Sequence, residues 1–180
     1  MITEERISTF ISSFDTGNTS FLNELEEFAI KTNVPVIRPQ MQNLLKLLLA
    51  MKQPERILEV GTAIGFSALL MSEYGAPDCK ITTIEKYEKR IPLARENFKK
   101  AGKEDQILLL EGDAADILKK LEPPFDFIFM DAAKGQYIHF LPDILSLMPK
   151  GGILVSDNVL QDGDVMESRF AVTRRDRTIH

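Results

Sequence analysis

Apolar residues recur along this chain in two rhythms, and the change between them divides it. Up to about residue 52 the spacing is helical. Residues 3–14 and 20–32 each set an apolar stripe against a polar face, with the turn-rich Asp15-Thr16-Gly17-Asn18-Thr19-Ser20 between them, which predicts two amphipathic helices. Ser20, with Asn23 and Glu24 behind it, offers N-cap chemistry to the second. The segment Val34-Pro35-Val36-Ile37-Arg38-Pro39 is extended, because each residue before a proline is pushed out of the helical region. Gln40 to Met51 is apolar nearly all round, which predicts a third, buried helix.

From Ile57 onward short apolar runs alternate with helical stretches. Strands are predicted at 56–60, 80–84, 106–110, 125–130 and 152–156, and helices at 64–74, 87–101, 114–121 and 136–148. Gly102 is a C-cap signal, and Pro142 should kink or split the last helix. Such alternation predicts an α/β fold with a mostly parallel sheet and helices on both faces. The expected organisation is one domain: a helical cap over 1–52, a core over 53–160, and a basic segment over 161–180, a polar loop with one short helix.

Composition changes this picture little. With 44% hydrophobic and 27% charged residues the chain is an ordinary globular protein, and no apolar stretch reaches the length of a membrane span. The N-terminus lacks a basic region followed by an apolar one, so the expectation is a cytoplasmic protein with no membrane partner. Cys79 is the single cysteine, which excludes an internal disulfide and a cysteine-cluster metal site. The net charge of −5 argues against a protein that coats nucleic acid. Charge is uneven, however: Val165 to His180 sets four arginines against Glu167 and Asp176, a balance of +2 that leaves −7 on the rest. A small basic patch permits a docked RNA without requiring one.

The chemistry gathers where the predicted strands end, because ligands of doubly wound sheets bind beyond the carboxyl ends. Arg56 to Ser67 reads as a buried strand, a glycine turn at Gly61 and Gly65, and a helix start. It fits a dinucleotide fingerprint poorly, since Ala63 holds the middle glycine position and Phe66 the last. Glu59 would repel a pyrophosphate and attract an ammonium. The pattern E-x-G-x-A-x-G resembles motif I of class I methyltransferases, whose cofactor S-adenosylmethionine carries an ammonium and a sulfonium and no phosphate. Glu85 lies 24 positions beyond Gly61, near the spacing of an acid that binds ribose hydroxyls, or is a solvated acid before a charged run. Asp113 suits an adenine amino group or an N-cap, and Ser67 a cofactor carboxylate or a nearby carbonyl. Asp131, Asp157 and Asn158 form an all-oxygen set that selects Mg²⁺, Mn²⁺ or Ca²⁺ if it converges; read separately, they are a cap and a turn dipeptide. Beside a divalent cation and a sulfonium, the ammonium form of Lys134 is disfavoured, which suits it to take a proton from a hydroxyl; the alternative is a surface lysine paired with an acid. His139 and His180 look incidental.

Glu59 to Ser67, Glu85, Gly112-Asp113-Ala114, Asp131-Ala132-Ala133-Lys134-Gly135-Gln136-Tyr137 and Ser156-Asp157-Asn158-Val159-Leu160 together resemble the cation-dependent O-methyltransferase family of caffeoyl-CoA and catechol methyltransferases. The resemblance is greatest to its bacterial branch containing tRNA 5-hydroxyuridine methyltransferase. It implies an enzyme with a Rossmann-like fold that uses S-adenosylmethionine and Mg²⁺. Ile37, Glu59, Gly61, Ser67, Glu85, Asp113, Ala114 and Asp131 would line the cofactor site, Asp131, Asp157 and Asn158 would hold the metal, and Lys134 with Asp131 would be catalytic. It also implies a homodimer acting on tRNA 5-hydroxyuridine, with small catechol-like phenols and caffeoyl-CoA-like esters as the alternative substrates. A non-catalytic nucleotide-binding module is a remote alternative. The antiparallel hairpin that usually ends this fold is not visible in the sequence.

Overall fold

The structure, a computed structural model, describes residues 5–159, and for Glu5, Ser8, Ile11 and Lys134 the backbone alone. The basic segment and the question of a terminal hairpin lie outside the described residues. Three helices come first, α1 (Glu5–Ser12), α2 (Ser20–Lys31) and α3 (Pro39–Lys52). Then follow β1 (Arg56–Val60), α4 (Phe66–Tyr74), β2 (Lys80–Glu85), α5 (Ile91–Lys100), β3 (Ile107–Glu111), the short α6 (Ala114–Ile117), β4 (Phe127–Met130), α7 (Tyr137–Leu147) and β5 (Ile153–Ser156). The five strands are parallel in the order β3-β2-β1-β4-β5. Strand order therefore reverses between β1 and β4, which opens a crevice at their carboxyl ends.

Side chains alternate across each strand, and two apolar layers result. Ile57, Phe127 and Phe129 pack with Leu22, Leu45 and Leu49 of α2 and α3, and with α4 and α5. Leu58, Val60, Ile128 and Met130 face the other way, against Leu118 and against Phe140 and Ile144 of α7. Glu59 shares parity with Ile57, so its carboxylate enters the first layer, next to Thr83 of β2, its register partner.

Several predicted elements shift, for local reasons. Thr19, not Ser20, is the N-cap residue of α2. α4 begins at Phe66 because residues 61–65 form a turn with positive φ at Gly61, Ala63 and Gly65. α5 begins at Ile91 because the Glu85 carboxylate accepts from Lys86 N (3.0 Å) and Tyr87 N (2.8 Å), which holds the chain in a turn. α7 runs unbroken through Pro142, which is exposed, so water can serve the carbonyl that loses its partner. α3 is not buried all round: Leu44, Leu47 and Met51 are 42%, 56% and 75% exposed, while Gln42 turns inward with Leu45 and Leu49.

Candidate active site

A cavity of about 480 Å³ lies over the crevice. Its floor is the Gly61–Ala63 turn, its roof the strap Pro35–Arg38, and its far wall Asp131, Ala132, Asp157 and Asn158. Gly61 has φ +106°, and a Cβ there would run into the Asp131 backbone carbonyl, so the floor admits only glycine. The size suits a small-molecule ligand.

Glu85 closes β2 and accepts three backbone N–H groups, from Ala63 (2.8 Å), Lys86 and Tyr87. It thereby fixes the glycine turn to the end of β2, and of its four lone-pair directions one is left for a ligand in the cavity it lines. Asp113 caps α6 by accepting from Ala115 N at 2.9 Å, and pairs with Lys86 at 3.3 Å. The Ala115 N–H holds its carboxyl below the usual range, with Lys86 assisting. Ala114 follows on the same wall.

Glu59 lies one layer behind. It is fully buried, does not line the cavity, and accepts hydrogen bonds from the Ser67 and Thr83 hydroxyls. Burial pushes its carboxyl up to about 7, the two hydroxyls pull it back, and the Asp131 and Glu85 charges add to the rise. Ser67 and Ile37 do line the cavity. Because Ser67 gives its proton to Glu59, it presents an acceptor to a ligand rather than the donor that a cofactor carboxylate would need.

Asp131 and Asp157 follow paired residues of β4 and β5, Met130 and Ser156, so they stand side by side. Asp157 N donates to the Met130 carbonyl at 3.0 Å, and Tyr137 Oη donates to the Met130 and Asp157 carbonyls at 3.0 and 3.2 Å. Asn158 adopts φ +54°, a conformation asparagine tolerates, and its Nδ2 donates to Asp157 Oδ1 at 2.9 Å. Asn158, like Asp131 and Asp157, lines the cavity. Among the described residues no three His, Cys, Asp or Glu side chains group to hold a metal, so a cation here needs the amide as its third donor. The donor set is all oxygen and fits a hard cation. Lys134 opens a short 3₁₀ turn before α7; its side chain lies outside the described residues.

Four carboxylates line the cavity, at Glu85, Asp113, Asp131 and Asp157. Arg38, Lys86 and Arg90 line it too, but Lys86 is tied to Asp113 and Arg90 stacks over the Tyr87 ring at 5.3 Å. A cationic cofactor without phosphate suits such walls. The O-methyltransferase family model matches residues 11–179. The chain belongs to this O-methyltransferase family. It is 34% identical over 135 residues to a catechol O-methyltransferase of Niastella koreensis, which covers 73% of this chain and 61% of that protein. It is 35% identical over 159 residues to a caffeoyl-CoA O-methyltransferase of Populus kitakamiensis, covering 82% and 66%. The chain thus spans less than two thirds of the length of these curated relatives.

Solved members of the fold superpose closely. An SAH-bound methyltransferase of Podospora anserina matches with TM-score 0.85 at 31% identity, covering 96% of this chain and 77% of that one. The O-methyltransferase of Bacillus cereus in complex with SAH gives 0.83 at 27%, covering 96% and 80%. The fold is the Rossmann-like methyltransferase fold. Val36 and Phe140 also line the cavity, and Thr83 supports Glu59 behind it; the sequence alone assigns none of the three a role. Thr83 emerges only once the β1–β2 register is known, and Phe140 reads as an ordinary position near the start of a helix.

Proposed function

We propose that the protein is a metal-dependent O-methyltransferase that binds S-adenosylmethionine in the cavity beyond β1 and methylates one hydroxyl of a small catechol-type phenol. The reading is carried by an acid-lined cavity with a glycine floor at one end and an all-oxygen donor trio at the other. When bound, the cofactor supplies an activated methyl on a sulfonium, and a cation such as Mg²⁺ supplies a Lewis acid that lowers the pKa of a chelated hydroxyl. Asp131, Asp157 and Asn158 would hold the cation. Glu85 would receive a ribose hydroxyl, Asp113 and Ala114 would flank the adenine, and Gly61 would let the ligand lie against the main chain. Ser67, with its proton committed to Glu59, would accept from the cofactor ammonium. The strap and Phe140, which line the cavity, would shield the reacting centre from water. Lys134, three residues after Asp131, would take the hydroxyl proton.

Two adjacent oxygens are common to a catechol and a 5-hydroxyuridine, so the site chemistry suits either. Catechol comes first because the relatives at 34% and 35% identity carry catechol and caffeoyl-CoA names. The tRNA reading draws on the arginines from Arg169 to Arg177, outside the described residues.

Incubation with methyl-labelled S-adenosylmethionine, Mg²⁺, and either a catechol or undermethylated tRNA tests the reading. Label is expected in the catechol; label in tRNA alone would overturn the small-phenol assignment. Chelation with EDTA, or Asp157→Ala, is expected to lower turnover by more than the roughly hundredfold that changes behind a metal's ligands cost. Undiminished rates under both would remove the metal.

A further inference from the structure

Gln42 is 3% exposed, on a helix face otherwise built from Leu45 and Leu49. A buried amide is costly unless its donors and acceptor are used. All are used here: Nε2 donates to the Ile37 carbonyl at 3.0 Å and to Glu26 Oε1 at 2.8 Å, and Oε1 accepts from Asn18 Nδ2 at 2.7 Å. One side chain therefore joins the loop before α2, α2 itself, and the strap. Only the strap reaches the cavity, and Gln42 stands behind it.

The strap is held at both ends by backbone. Val34 N donates to the Ala29 carbonyl at 2.9 Å, and the Arg38 carbonyl accepts from Met41 N and Gln42 N at 2.9 and 3.0 Å. Between these ends Pro35 has no N–H to offer. The Gln42 bond to the Ile37 carbonyl holds the strap one residue before its Arg38 end, at a residue that lines the cavity.

We infer that Gln42 is a positioning residue for the cofactor: through the Ile37 carbonyl it sets the height of the strap over the bound ligand. This rests on the cavity being the S-adenosylmethionine site. An exchange of partners separates that role from plain support of the fold. In Glu26→Gln/Gln42→Glu, the new amide at 26 can donate to the new carboxylate at 42, which can also accept from Asn18 Nδ2, but in its ionised form, kept by working at alkaline pH, that carboxylate has no proton to give the Ile37 carbonyl.

The test is calorimetric titration of SAH into the wild-type protein, Gln42→Glu and the double variant, with thermal unfolding of each. Gln42→Glu should lose both stability and affinity. The double variant should regain the part of its midpoint that the like-charge contact between positions 26 and 42 had cost, while SAH affinity stays about tenfold weak, the net worth of about one hydrogen bond. Affinity that returns with the midpoint would overturn the inference. If the double variant does not regain that part, Asn18→Ala decides, since it cuts the loop link and spares the strap. Wild-type affinity there, with weak binding in Gln42→Glu, supports the role; equal weakening in both overturns it. A wild-type protein that takes up no SAH overturns the cofactor reading, and the inference with it.

Discussion

Glu59 holds a carboxyl with no solvent at all, pushed from an ordinary 4.5 to about 7 by burial. Since the folded value lies above the unfolded one, the native state binds the extra proton between about pH 4.5 and 7. The stability this group contributes is fully present at the low end of that window and is lost as pH rises through it. Glu59→Gln has no proton to lose. Urea unfolding of both proteins from pH 4.5 to 7.5 should show the wild type falling relative to the variant by about 3 kcal/mol. A constant difference would mean that Glu59 is ionised throughout. At the glycine floor, Gly61→Ala meets both a positive φ and the Asp131 carbonyl, whereas Gly102→Ala has φ +63° and open space. The first should cost more than about 2 kcal/mol and the second about 1 kcal/mol. Equal losses in chemical unfolding would show that the contact with Asp131 is relieved without cost.

Helix α3 shows how far apolar patterning reaches. Its sequence looks uniformly apolar, yet it buries one face and leaves Leu44, Leu47 and Met51 outside. Leu45→Ala should therefore cost about 2–5 kcal/mol and Leu47→Ala about 0.5 kcal/mol or less in the same unfolding measurement. Periodicity showed where elements lie, because β-strands covered on both faces and amphipathic helices write their burial into the chain. It could not show which face of α3 meets α2, nor that Glu59 pairs with Thr83 and turns away from the cavity. Those facts depend on strand register and on helices distant in sequence. The residues at the strand ends were legible because topology alone brings them to one edge of the sheet; Gln42 was not, because its partners lie 5, 16 and 24 positions away.

For the molecule as a whole, two unpartnered apolar surfaces stand out among the described residues. Ile7, Phe10 and Phe14 at α1 are 51%, 64% and 69% exposed, with the two phenylalanine rings edge to face at 5.0 Å, and the outer face of α3 adds a second stripe. Large side chains left in water at these two places add nothing to folding, so changes there should be close to neutral for stability. Among the described residues no helix is long and apolar enough to cross a membrane. Methyl transfer by this chain requires that the acid-lined cavity take a phosphate-free sulfonium cofactor. Equilibrium dialysis with labelled S-adenosylmethionine measures it directly: one equivalent should bind per chain and be displaced by excess SAH but not by excess NAD. Displacement by NAD, or no saturable binding, would contradict it.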